Sequence, residues 1–448
     1  MSSLGDELKE LARLAWPIAM SQLALMTMGL VEMSILGHES VTDLGGASVG
    51  RSIGHASVSI AMGVGSALDP IASQAVGAGE HRRAYQSLFV TMKACAILWV
   101  PLSLLAYLST YLLRPLGIDP VLIPVARAFL VGQIPSLLFF SLFLTTKTLL
   151  QANGFTRPLL WASLIGNIAN WILCSIFVGG DATLVRWGLP ACGMPKLGAF
   201  GAGAAGSLSM LLVWLVALLA ARSGARGSES DESQPVTLRE VFVLGIPIGF
   251  QFAAEIGVFA LVAVIAGKLG GAVASAHQIA LGIASFTFMI TLGISSATSV
   301  RVGSAIGKGE NPRRRGFVGI AFGGALMLIS AAVLALFPAT LVGYFTVDVE
   351  VRTLAAHLLR IAAVFQFFDG VQGVAGGALR GAGDVRLPFL ANVGAYWLLG
   401  FPLALVLGFS LDWGAAGFWW GLTAGIVIVA ALLSWRFWVL TRHHIARV

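Results

Sequence analysis

One carboxylate, Asp369, stands in a run that is otherwise apolar, aromatic, amide or glycine: Phe365-Gln366-Phe367-Phe368-Asp369-Gly370-Val371-Gln372. Two more acids, Glu32 and Glu255, also fall inside apolar runs. A charge at the centre of a bilayer costs at least about 2.5–3.5 kcal/mol on insertion scales. A chain carries that cost where the acid meets a counter-charge, an ion, a proton or a water-filled cavity. Gln366 and Gln372 lie three residues either side of Asp369, and Gln251 lies one turn before Glu255. In helices each amide therefore shares a face with its acid. Carboxylates in such surroundings exchange a proton for a cation, which is the chemistry of ion-coupled transport. Asn167 and Asn170 share a face of another apolar run, a spacing that suits either a cavity wall or hydrogen bonds to a neighbouring helix. Asp69 precedes Pro70 and reads as the cap of a broken helix.

The elements that must position these groups follow from composition. The chain has 448 residues, 57% hydrophobic and 11% charged, with a mean hydropathy of +0.87. Long apolar runs with short polar breaks predict a polytopic, all-helical membrane protein. A spanning helix needs about 20 residues, and the runs supply about twelve such helices. The predicted spans are roughly 14–36, 52–76, 87–113, 125–150, 159–178 and 198–221 in the first set. A second set covers roughly 241–266, 278–303, 317–337, 351–380, 388–408 and 416–438. Residues 222–240, rich in Ser, Gly and charge, read as a flexible linker between lobes 1–221 and 241–448.

The net charge of +7 is spread singly over loops, which fits positive-inside topology rather than nucleic-acid binding. The excess of Arg in alternate loops places both termini in the cytoplasm, with Arg51 in an outer loop and His277 at the outer start of its helix. The three cysteines, Cys95, Cys174 and Cys192, form neither a disulfide framework nor a metal motif. Gly201-Ala202-Gly203-Ala204-Ala205-Gly206 fits a dinucleotide fingerprint without the strand it needs. Gly46-Ala47-Ser48-Val49-Gly50 fits a nucleophile elbow but reads as outer loop, with no hydrolase sheet. Neither ATP drive nor an enzyme active site has support.

The two sets repeat. Pro17-Ile18 pairs with Pro247-Ile248, and Gly77-Ala78-Gly79-Glu80 with Gly307-Lys308-Gly309-Glu310, both at an offset of 230 residues. Gly63, Ser66 and Ala67 meet Gly293, Ser296 and Ala297 in the same register. Six helices repeated in one order keep one orientation, which implies parallel repeats with the substrate path between them.

In Gly29-Leu30-Val31-Glu32-Met33-Ser34-Ile35-Leu36-Gly37-His38, in Ser66 to Gly79, in Ser299 to Gly307 and in Asp369 to Gly381, the chain resembles the multidrug and toxic compound extrusion family over nearly its whole length. The resemblance implies a V-shaped pair of six-helix lobes. It implies export of cationic, lipophilic or aromatic compounds across the inner (plasma) membrane of the cell in exchange for Na+ or H+, by a monomer without a cofactor. In the branch this chain looks most like, a helix-seven glutamate and a helix-ten aspartate hold the cation, and Glu255 and Asp369 match them. Glu32 stands where the family's helix-one acid is usually Asp. Helix five offers Asn167 and Asn170 but no acid. The tyrosine often found one turn before the helix-ten acid is Phe365 here, which removes an oxygen ligand. The expected cleft walls are Gln251, Phe365, Gln366, Phe368, Gln372, Asn167 and Asn170. A lipid or glycan-lipid flippase of the same superfamily is the alternative, and it calls for extra helices and a basic cleft.

Overall fold

The computed structural model describes residues 3–224 and 236–448, and those residues form helices and turns with no strand among them. Residues 225–235 of the linker read from the sequence lie outside the described residues. Among the described residues twelve long helices follow in the expected order. In the first repeat they are α1 (Leu4–Glu39), α2 (Val41–Ser66), α3 (His81–Ser109), α4 (Leu122–Ala152), α5 (Arg157–Gly179) and α6 (Gly198–Gly224). In the second they are α7 (Leu238–Lys268), α8 (Gly271–Gly307), α9 (Arg313–Leu336), α10 (Val349–Gly381), α11 (Arg386–Ser410) and α12 (Gly414–Leu440). Capping boxes open two of them. Ser3 and Asp6 exchange hydrogen bonds at the start of α1, and Thr237 and Glu240 do so at the start of α7.

Eleven of the twelve are long and apolar enough to cross a membrane by length and composition. The exception, α2, starts about ten residues before the predicted span because its first half is glycine, serine and charge. Its hydroxyls are satisfied by its own backbone: Ser48 bonds Leu44 O, Ser52 bonds Ser48 O, and Ser57 bonds Ile53 O, at 2.8–3.0 Å. Arg51 and the Gly46–Gly50 stretch, expected in an outer loop, therefore lie inside a helix. The helix breaks only briefly at Ala67 and continues as Leu68–Gly77. His277 likewise lies inside its helix rather than at its start. It is buried in α8 and accepts a 3.2 Å hydrogen bond from Trp419 Nε1.

Two compact units are present. One comprises residues 23–68 and 80–249, the other 1–22, 69–79 and 250–448. This division does not follow the sequence halves. Residues 1–22 and 69–79 pack with the second-half helices.

Within the first of these units, α4 and α6 cross at Gly132 and Gly203, where a Cβ would strike the opposing backbone. Pro135 interrupts the helix ladder here. Ser207 fills the gap: its hydroxyl donates to Gly132 O at 2.6 Å and accepts from Ser136 N at 3.0 Å. A neighbouring side chain thus restores the backbone bonding that a bilayer cannot supply.

Within the other unit, Gly373, Gly377 and Gly381 of α10 rest against Thr291, Ser295 and Ser299 of α8, one turn apart on both helices. Ser295 Oγ donates to Gly373 O at 2.7 Å. The repeat also shows itself in contact geometry. Gly77 rests on the Ser304 backbone and Gly307 on the Gln74 backbone, and each pair is the other's counterpart at the 230-residue offset. Arg301 of α8 bonds the backbone carbonyl of Glu7 at 2.8 Å, the Glu7 carboxylate, and Glu10 at 3.2 Å. Runs of i→i+5 hydrogen bonding widen α11 over Gly394–Gly400 and Val406–Ser410. Such widened turns are frequent at functional sites.

Candidate functional site

Glu255 lies at mid-length in α7 and Asp369 at the middle of α10. Gln372 joins them. Its Nε2 stands 3.3 Å from Glu255 Oε1 and 3.5 Å from Asp369 Oδ1. One amide therefore faces two carboxylates from different helices. Asp369, Gln372 and Gln251 are buried. Among the described residues no group of three or more His, Cys, Asp or Glu side chains gathers to hold a metal.

The polar seam expected along α10 splits. Gln366 turns from Asp369 and donates to Ala284 O at 3.3 Å and to Thr287 Oγ1 on α8. Its side chain is wholly buried and fixes helix to helix. Phe365 does not wall an open cleft. It is 4% exposed and packs edge-on against Phe259 and Trp419, each with ring centroids 5.9 Å apart. Phe368 is half-buried beside Phe367. Tyr396 of α11 joins the same aromatic cluster through Phe259. Its hydroxyl has no hydrogen-bond partner among the described residues, and both carboxylates act on it electrostatically.

Three turns along α10 from Asp369, Arg380 is also buried. Its Nη2 donates to Ser295 Oγ at 3.3 Å, and its Nε stands 3.9 Å from Asp69 Oδ2. Asp69 is thus the ion partner of Arg380 as well as a first-turn acid of Leu68–Gly77.

Glu32 lies in the other unit. Its carboxylate accepts from Arg51 Nη2 at 2.7 Å and from Asn170 Nδ2 at 2.9 Å. The Arg51 guanidinium lies 5.4 Å from the centroid of the Phe129 ring. Asn170 therefore belongs with Glu32. Asn167 does not: its Nδ2 bonds Ala24 O at 2.7 Å and Ser163 O at 2.9 Å, tying α5 to α1. A cavity of about 250 Å³ opens beside Glu32, with Arg51, His55, Gln133, Met26 and Phe140 in its lining. Arg51 was legible only as a lone cation. The signal that could have found it is His55 one turn later on the same helical face, opposite an unpaired acid on α1.

A family model described as MatE matches residues 17–176 and again 247–406. The probable multidrug resistance protein NorM of Rhodopseudomonas palustris is 35% identical, over 99% of this chain and 94% of its own. The multidrug resistance protein NorM of Burkholderia vietnamiensis is 34% identical, over 99% of this chain and 96% of its own. Among solved structures, the eukaryotic MATE transporter AtDTX14 aligns with a TM-score of 0.86 at 22% identity, covering 97% of this chain and 96% of that one. The Vibrio cholerae MATE transporter VcmN in the bent form aligns at 0.84 with 18% identity, covering 99% and 98%. At these identities the structures speak to fold alone.

Proposed function

The chain belongs to the MatE family of membrane transporters, and from that premise we propose that it is a secondary active multidrug efflux antiporter. It exports cationic or lipophilic compounds in exchange for Na+ or H+. The observation that carries this reading is the placement of Gln372 between Glu255 and Asp369. Two carboxylates from different helices, bridged by one neutral donor, form a site where a cation or proton changes the balance between α7 and α10. Substrate and coupling ion then bias one equilibrium reciprocally. The duplicated halves 1–221 and 241–448 are the basis of alternating access, with residues 1–22 and 69–79 grouped with the second half. Both termini face the cytoplasm, the bacterial inner membrane is the setting, and the monomer is the working unit.

The test is efflux of a cationic fluorophore from vesicles under a Na+ gradient or a pH gradient, imposed separately. Wild type follows one gradient, and Asp369→Asn and Glu255→Gln lose the response. Gradient-driven efflux undiminished in both variants would refute the site, and transport of lipid instead of dye would favour a flippase.

A further inference from the structure

The cavity beside Glu32 carries a ligand anchor that the coupling site does not use. The Glu32 carboxylate is already engaged by Arg51 and Asn170. A cation entering there has to displace a guanidinium held at 2.7 Å. The guanidinium, by contrast, is under-used. Only Nη2 is bonded, Nε is buried without a partner, and Nη1 makes no hydrogen bond among the described residues. Nη1 lies over Gly29, where a Cβ would come within 2.7 Å of it. Gln133 contributes an amide oxygen to the same lining, without a partner among the described residues. The remaining wall is mostly apolar, including Leu25, Met26, Met28, Leu137 and Phe140, with His55 and Ser136 as its other polar side chains. Arg presents several donors in a fixed fork that matches a carboxylate. A half-used guanidinium facing a largely apolar cavity selects an acid on an apolar body.

We propose that this cavity is a second ligand site, distinct from the Glu255–Asp369 pair, that takes apolar compounds bearing a carboxylate, with the acid on Arg51. The proposal rests on the efflux reading above for its physiological role, but its binding chemistry is independent of it. Glu32 acts as the internal competitor: it occupies one edge of the guanidinium until a ligand acid arrives.

The probes are rhodamine B, which bears a free carboxylate, and its ethyl ester, which shares the ring system. Binding to purified full-length protein in lipid nanodiscs is read by fluorescence anisotropy, with a thermal melt for every variant. Wild type binds the acid more tightly than the ester. Arg51→Gln weakens acid binding about tenfold or more and leaves the ester within about twofold. Arg51→Lys recovers part of the loss. Glu32→Gln frees the guanidinium and tightens acid binding, a sign that simple structural damage does not produce. It also keeps the proposal open to refutation if Arg51→Gln fails to fold. Equal losses for acid and ester, or weaker acid binding in Glu32→Gln, overturn the proposal. Competition by octanoate and by 2-naphthoate separates an aliphatic from an aromatic acid. Displacement by either supports the anchor, and displacement by neither overturns it. Gradient-driven efflux of the ester through Glu255 and Asp369 is measured separately, so that reading can fail while the acid preference stands.

Discussion

Ser73 and Gly303 occupy the same position in the two repeats, 230 residues apart, and they touch each other. A Cβ on Gly303 would fall 2.7 Å from Ser73 Cβ and collide with its hydroxyl. Equivalent positions meet only at a local two-fold axis, so this contact marks where the Leu68–Gly77 segment and the end of α8 face each other. The flanking pairs, Gly77 with Ser304 and Gly307 with Gln74, obey the same exchange. A larger residue here has nowhere to go. Gly303→Val is expected to cost about 1–3 kcal/mol of stability by overpacking, read as a lower melting temperature, with partial recovery in the Ser73→Gly double variant. A melt equal to wild type in the single variant would contradict the contact.

The two glutamines that flank Asp369 have different fates, and their variants should separate. Gln372 faces Glu255 and Asp369, so Gln372→Leu should abolish gradient-driven efflux while leaving the melt close to wild type. Gln366 instead ties α10 to α8. Gln366→Leu should lower the melting temperature through about 1–3 kcal/mol of lost bonding at Thr287 and Ala284. Paired melts and vesicle efflux check both, and the same phenotype in both variants sinks the distinction.

Arg301 and Glu7 form a buried ion pair. Removing one partner leaves a buried charge uncompensated, a loss of about 3–5 kcal/mol. Arg301→Met should therefore unfold well below wild type, whereas the double variant with Glu7→Leu should regain most of the loss. A double variant no better than Arg301→Met would show that the pair is not what stabilises this corner.

The loop after α5 is closed by one half-buried acid. Asp181 accepts backbone N–H bonds from Cys192, Gly193 and Met194 at 2.9–3.0 Å. The Met194, Cys192 and Gly193 amides favour the charged form and hold its pKa below the ordinary 3.8. A depressed carboxylate stabilises the folded loop above the unfolded value, and that stability is lost as pH falls through the lower folded one. The protection factors of the amides at residues 192–194 should thus be high at neutral pH and fall only in strong acid. Asp181→Asn should lower those protection factors at neutral pH, and they should lack the acid transition. Unchanged exchange in that variant counts against the loop closure.

Much of this protein was legible in the sequence. Hydropathy and length are local quantities, and they specify the twelve helices to within a few residues at most ends. The 230-residue register of Pro17 and Pro247, or Gly77 and Gly307, reveals the duplication in the sequence alone. Glu255 and Asp369 stand out because a carboxylate in an apolar run is costly wherever the helix goes.

What only the tertiary structure decided are the partners. Gln366 and Gln372 are six residues apart, which on a helix of about 3.6 residues per turn separates them by about 120°. One therefore reaches α8 and the other α7, although both flank the same acid. The start of α2 escaped hydropathy because its serines bond their own backbone, which hides their polarity from the bilayer but not from a composition window. Arg51 consequently looked like a loop residue until packing brought it to Glu32. The Tyr396 hydroxyl and the Ser207 bridge over Pro135 depend on helices distant in sequence, and no spacing rule within one helix encodes which neighbour will lie across from it.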